Sequence, residues 1–141
     1  MTNPDSAVIP DDLAYLLTTD HIGHVSFIRL DGSVGTALMW VGWDGEHVLT
    51  SSPVGEYQGR VWRANPSISV SVVDHYDDWR SVTVEGRVTE IRPDENLQFI
   101  DLMSTRYLGM PYRRRSFERE IYVITPDRVR CSHGGWAPKK R

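Results

Sequence analysis

The chain has a single cysteine, Cys131, and only two lysines, Lys139 and Lys140, among its 16 basic residues. One thiol cannot close an intramolecular disulfide or build a cysteine-rich metal site. No apolar run approaches the ~18 residues of a membrane-spanning helix. The opening MTNPDSAVIPDD is acidic and polar, without the basic start and apolar stretch of a secretory leader. A net charge of −3 and a pI near 5.9 leave no basic excess to follow a nucleic-acid backbone. No G-x-S-x-G elbow, P-loop, H-E-x-x-H or dinucleotide-binding glycine fingerprint occurs. Hydrolase and kinase readings therefore have no residue support. These absences together lead us to expect a soluble, cytoplasmic protein that uses neither nucleic acid nor membrane.

What is present fits one domain over residues 1–141, since 141 residues of 40% hydrophobic content can bury a substantial core. PDDLAYLLTT (10–19) reads as a short helix with Leu13, Leu16 and Leu17 on one face. HVSFIRL (24–30) and SVGTALMW (33–40) flank Asp31-Gly32, a strong hairpin signal, and Asp44-Gly45 turns the chain into EHVLTS (46–51). A short helix over 55–64 precedes SISVSVV (67–73), which alternates with period two. WRSVTVEGRVTEI (79–91) reads as a long strand in which Gly86 marks a bulge or a close backbone approach. Residues 93–107 read as a helix with Leu97, Ile100, Met103 and Tyr107 on one stripe, and REIYVIT (119–125) and DRVRCS (127–132) as the last two strands. The expected fold is mainly β, of α+β type: six or seven antiparallel strands in a small barrel, with two or three short helices.

The most informative stretch is SSPVGEYQGRVWRAN (51–65), where a strand ending in hydroxyls runs through a glycine turn into a helix. Hydroxyl, backbone N–H and guanidinium donors gathered in this way suit a phosphate, although an ordinary crossover loop has the same composition. His21 and His24 fall on opposite faces of a strand with no third ligand close in sequence, so no metal site is expected. Cys131 reads as an apolar filler on a late strand. Trp40, Trp43, Trp62, Trp79 and Trp136 either pack the core or line a flat cofactor or subunit seam. Arg113-Arg114-Arg115 and the Lys139–Arg141 tail are the clustered positive charges.

In element order and in the segments HIGHVSFIRLDGSVGTALMWVGWDGEHVLTSS, RVWRANPSISVSVVD, WRSVTVEGRVTEI and RYLGMPY, the chain resembles the pyridoxamine 5'-phosphate oxidase-like split β-barrel proteins. Within them it is most similar to the B-type flavin/deazaflavin oxidoreductases of actinobacteria, over a core of about residues 12–131. The resemblance implies a homodimeric split β-barrel with F420, or alternatively FMN, in a groove between subunits. It implies that Thr50, Ser51 and Ser52 at the strand end, with Gly55, Gln58 and Arg60 in the following loop, face the cofactor phosphate. Gly35, Ala37 and Met39 on the second strand, and Trp79 from the partner barrel, would neighbour the ring. The implied activity is hydride transfer between that ring and a small conjugated or aromatic substrate, with the catalytic residues unassigned.

Two positions depart from the pattern. Those that are commonly Arg and Lys in cofactor-binding relatives are Glu56 and Gln58. Each lost charge-assisted hydrogen bond to phosphate is worth about 1.5–3 kcal/mol. Arg60 or the Arg113–Arg115 run would have to compensate, or the barrel is a binding protein for haem, a lipid-like ligand or an untransformed cofactor. A pyridoxine-phosphate oxidase proper is disfavoured, because RCSHGGWAPKKR does not resemble the substrate-phosphate clamp of those enzymes.

Overall fold

Seven antiparallel strands form one sheet in the order β2-β1-β5-β6-β7-β4-β3 in the computed structural model, which describes residues 7–134. The strands are β1 (Gly23–Ile28), β2 (Val34–Met39), β3 (Gly42–Trp43), β4 (Val48–Pro53), β5 (Ser67–Val73), β6 (Arg80–Pro93) and β7 (Arg119–His133). Trp136 and the Lys139–Arg141 tail lie outside the described residues. The sheet's two edge strands, β2 and β3, are consecutive in the chain and joined only by Trp40 and Val41. That short link brings the two edges near each other and curls the sheet toward a barrel.

Both expected hairpin turns form. Gly32 and Gly45 have φ of 87° and 100°, and the preceding aspartates accept backbone N–H bonds from Ser33, Glu46 and His47. Inside the barrel lie Val25, Val41, Val48, Val70, Val82, Val84, Tyr122 and Ile124. Leu13, Leu16 and Leu17, fully buried, join the same core. Burial of a leucine side chain stabilises by about 1.5–3 kcal/mol.

The structure departs from the sequence expectations in three places. The first helix is a single 3-10 turn, Ala14–Leu17. The last two expected strands are one, β7, whose Pro126 sits at a register shift opposite Gly86 and beyond the end of β4, where a missing N–H disturbs no second ladder. A Cβ at Gly86 would stand 2.1 Å from the Thr125 carbonyl oxygen, so the close approach expected there is real. Helix α2 begins at Gln98 and ends at Leu108, because Asn96 and Leu97 take left-handed conformations and Asp94 reaches over them. The Asp94 carboxylate accepts from the N–H groups of Phe99 and Ile100 at 2.8 and 2.9 Å, satisfying the first turn. The shorter helix α1 spans Tyr57–Ala64.

Candidate functional site

Successive side chains of a strand point to opposite faces, and β4 divides its three hydroxyls on that rule. Thr50 and Ser52 are buried, while Ser51 is only partly so. Thr50 Oγ1 donates to the Trp40 carbonyl at 2.9 Å. Ser52 Oγ lies 2.8 Å from the Tyr122 hydroxyl, which donates its own proton to Glu120 Oε2 at 2.8 Å. Ser52 is thus the donor to Tyr122. Arg63, from α1, closes the network with a two-pronged contact to Glu120, both bonds 2.8 Å. Those bonds hold the Glu120 carboxyl below the usual carboxylate range. Burial pushes the Tyr122 phenol up to about 12. Gly59 makes room for the arrangement: a Cβ there would stand 2.7 Å from Glu120 Oε2 and 2.8 Å from the Tyr122 hydroxyl.

On the other face of the same strands Ser51 Oγ accepts from Arg119 Nε at 3.1 Å. Arg119 is 8% exposed, yet none of the ion pairs among the described residues includes it. Its guanidinium lies 5.1 Å from the centre of the Tyr112 ring, and burial lowers its proton affinity below the ordinary guanidinium value. Asp94 is close enough to be felt, but its oxygens are committed to the start of α2.

Ser51 and Arg119 line a cavity of about 250 Å³ between the sheet and α2, together with Met39, Trp40, Met103 and Tyr112. Trp40 stacks on Tyr107 with centroids 5.2 Å apart, and Tyr112 meets Trp40 edge-on at 6.1 Å. No histidine or carboxylate lines this cavity, so its chemistry is that of a flat apolar slot with one cation. A buried cation without an acidic partner is costly unless a ligand supplies the anion. Guanidinium groups suit phosphate and carboxylate because their planar N–H forks match both.

A family model described as pyridoxamine 5'-phosphate oxidase matches residues 9–133. The chain belongs to this family. Among solved structures it is similar to an F420 reductase at 30% identity and a TM-score of 0.77, covering 86% of this chain and 98% of that one. It shares its fold with the conserved hypothetical protein Rv2991 of Mycobacterium tuberculosis, at 19% identity and a TM-score of 0.75, covering 100% of this chain and 96% of that one. It also shares its fold with General Stress Protein 26 of Bacillus anthracis, at 18% identity and a TM-score of 0.67 over 92% and 97% of the two chains. No curated protein sequence matches the chain.

In this member of the pyridoxamine 5'-phosphate oxidase family the residues expected at the site are spread over several surroundings. Met39 and Ser51 meet in the slot. Ala37 packs against the barrel core, and Gly35 is buried under Phe27, whose ring a Cβ would approach to 2.7 Å. Gly55 takes a φ of 90° in the exposed turn before α1. Gln58 is half-buried, and exposed Arg60 lies over the Tyr57 ring at 5.6 Å. Trp79 is 51% exposed in the turn before β6, at the far end of β7 from Ser51. All three arginines of the Arg113–Arg115 run are exposed, and Arg115 makes a two-pronged bond to Asp101 at 2.8 and 2.9 Å. Sequence reasoning missed Arg119. The available signal was the pair Arg119-Glu120 opening an otherwise apolar strand, since adjacent strand positions send one charge to each face.

Proposed function

We propose that this chain is a flavin-type oxidoreductase that uses F420, with FMN as the second candidate, and that it works as a homodimer. The observation that carries the reading is Arg119: a buried guanidinium with no acidic partner among the described residues, held by Ser51 inside an aromatic slot. The 30% identity to an F420 reductase supports the same cofactor. When bound, the deazaflavin supplies hydride transfer to a conjugated acceptor.

The chain's own residues bind and orient. Arg119 neutralises an anionic group, the phosphate-bearing part of the cofactor, and Ser51 fixes the guanidinium plane. Trp40, Tyr112 and Met103 exclude water from it. The slot's 250 Å³ is below the roughly 300–1,000 Å³ of a whole small-molecule site, so it takes one end of the cofactor. The ring would lie along Gly35, Ala37 and Met39 of β2, against the partner subunit's Trp79. Thr50, Ser52, Gly55, Gln58 and Arg60 would then support the strand end and loop from behind.

A second reading, a ligand carrier without turnover, is favoured by Glu56. It stands exposed at the N-terminus of α1, where it occupies the end of the helix that would otherwise attract phosphate. Titrating the cofactor-free protein with F420 and FMN in parallel, by tryptophan quenching at fixed salt, separates the two. We expect micromolar or tighter F420 binding that Arg119→Met weakens about 10- to 100-fold, and a dimeric mass by light scattering. Unchanged affinity in Arg119→Met would sink the placement, and no binding of either cofactor would favour the carrier.

A further inference from the structure

Away from the slot, Asp20, His21 and His75 place one ligand atom each within 4.8 Å of one another. β1 pairs antiparallel with β5 through His24↔Ser71, and the same register carried past the strand ends sets His21 opposite Asp74 and Asp20 opposite His75. The two imidazole rings stack at 4.4 Å between centroids and 19° between planes.

Hydrogen bonds fix the tautomer of each ring. His21 Nδ1 lies 2.8 Å from Thr19 Oγ1, and that hydroxyl donates its only proton to the Tyr15 carbonyl at 2.6 Å. Nδ1 is therefore the donor, and the lone pair of the neutral ring sits on Nε2. His75 Nε2 lies 2.8 Å from the Asp20 carbonyl, which only accepts, so its lone pair sits on Nδ1. A ring N–H donated to a neighbouring oxygen, with the other nitrogen left basic, is how metal-binding histidines are held. His21 is 6% exposed, and its Nε2 is buried with no hydrogen-bond partner among the described residues. Asp74 Oδ1 lies 4.0 Å from it, too far for a hydrogen bond. A buried imidazole lone pair, a second imidazole and two carboxylates gathered in one place are a set of donors that a cation could draw together.

We propose that Asp20, His21 Nε2 and His75 Nδ1 bind a divalent transition-metal ion of the zinc class, with Asp74 as fourth or outer ligand. Two imidazoles and a carboxylate suit zinc better than calcium or magnesium, which prefer all-oxygen sites. The donors must close to about 3.4 Å, the edge of a tetrahedron with ~2.1 Å bonds, and the His75 ring must swing out of its stack so that both lone pairs meet at one ion. Asp20 and His75 are exposed and lie in turns, so they can move, whereas His21 is anchored. The ion would tie the entry of β1 to the β5–β6 turn. His24, which strand alternation sets on the opposite face from His21, is exposed and outside the cluster.

The test titrates metal-free protein, without added cofactor, with Co²⁺ followed by visible absorption and then with competing Zn²⁺. We expect one ion per chain at micromolar affinity or better, and a tetrahedral Co²⁺ spectrum. His75→Ala and Asp20→Asn, both surface changes that should fold, are each expected to weaken binding at least about tenfold, with His24→Ala unchanged. No Co²⁺ spectrum, or equal affinity in His75→Ala and Asp20→Asn, overturns the site. Nitrogen-15 shifts showing a proton on His21 Nε2 in the metal-free protein would overturn it independently.

Discussion

The two faces of the β4–β7 pair each set an arginine beside a serine and a tyrosine, with opposite electrostatic outcomes. Inward, Ser52, Tyr122, Glu120 and Arg63 form a continuous chain of hydrogen bonds in which the two charges cancel. Outward, one residue along each strand, Ser51 and Arg119 leave a buried cation with a hydroxyl and an aromatic ring for company. A paired charge in a core is an element of structure, and its loss is felt as instability. The unpaired one is retained at a cost to the free protein, which a bound anion would offset. That difference, more than the glycine loop beside it, marks the outward face as the place to look for a ligand.

The comparison breaks most visibly at Glu120. Glu120→Ala strands Arg63 and Tyr122 and should cost about 2 to 3 kcal/mol in urea unfolding, less than a fully buried pair because Arg63 is half-exposed. Arg119→Met should do the reverse: the free protein is as stable or slightly more stable by the same assay, although anion affinity falls. If it unfolds the protein as Glu120→Ala does, the two faces are alike and the slot is only packing.

Tyr122→Phe should cost about 1 kcal/mol, and it carries a pH signature. A phenol held near 12 in the fold against 10.0 unfolded contributes stability that is complete below pH 10 and lost as pH rises toward 12. That alkaline loss should shrink in Tyr122→Phe. Glu120 has the opposite sign. Its depressed pKa stabilises above the ordinary carboxylate value and is lost as pH falls below it, so Glu120→Gln should flatten the acid limb of a pH-dependent unfolding series. Smallest of all, Ser51→Ala should weaken an anion by a few-fold, about 0.5–1.5 kcal/mol, with no change in unfolding midpoint. A larger effect on stability than on binding would mean that Ser51 belongs with the inward network.

Much of the barrel could be read along the chain. Asp31-Gly32 and Asp44-Gly45 announce their turns, the alternation in SISVSVV announces β5, and Gly86 announces the close approach of the Thr125 backbone. Each is a local signal, resting on glycine's freedom of φ or on a period of two. Local signals erred where a neighbour intervened. Pro126 looked like the end of a strand until the bulge opposite Gly86 accommodated it, and the helix expected from Pro93 starts only where Asp94 can cap it.

The candidate site was half legible. Ser51 and Met39 were singled out, and Arg119, which sits 68 positions from the serine it contacts, was not. The amino-acid sequence by itself determined which segments become strands and where they turn. Only the tertiary structure decided that Ser51 and not Ser52 faces the slot, that Arg119 lies beneath it, and that His21 meets His75 instead of His24. Strand periodicity is written in neighbouring residues. Register and barrel closure depend on contacts between distant segments, and they choose which face of each strand is inside.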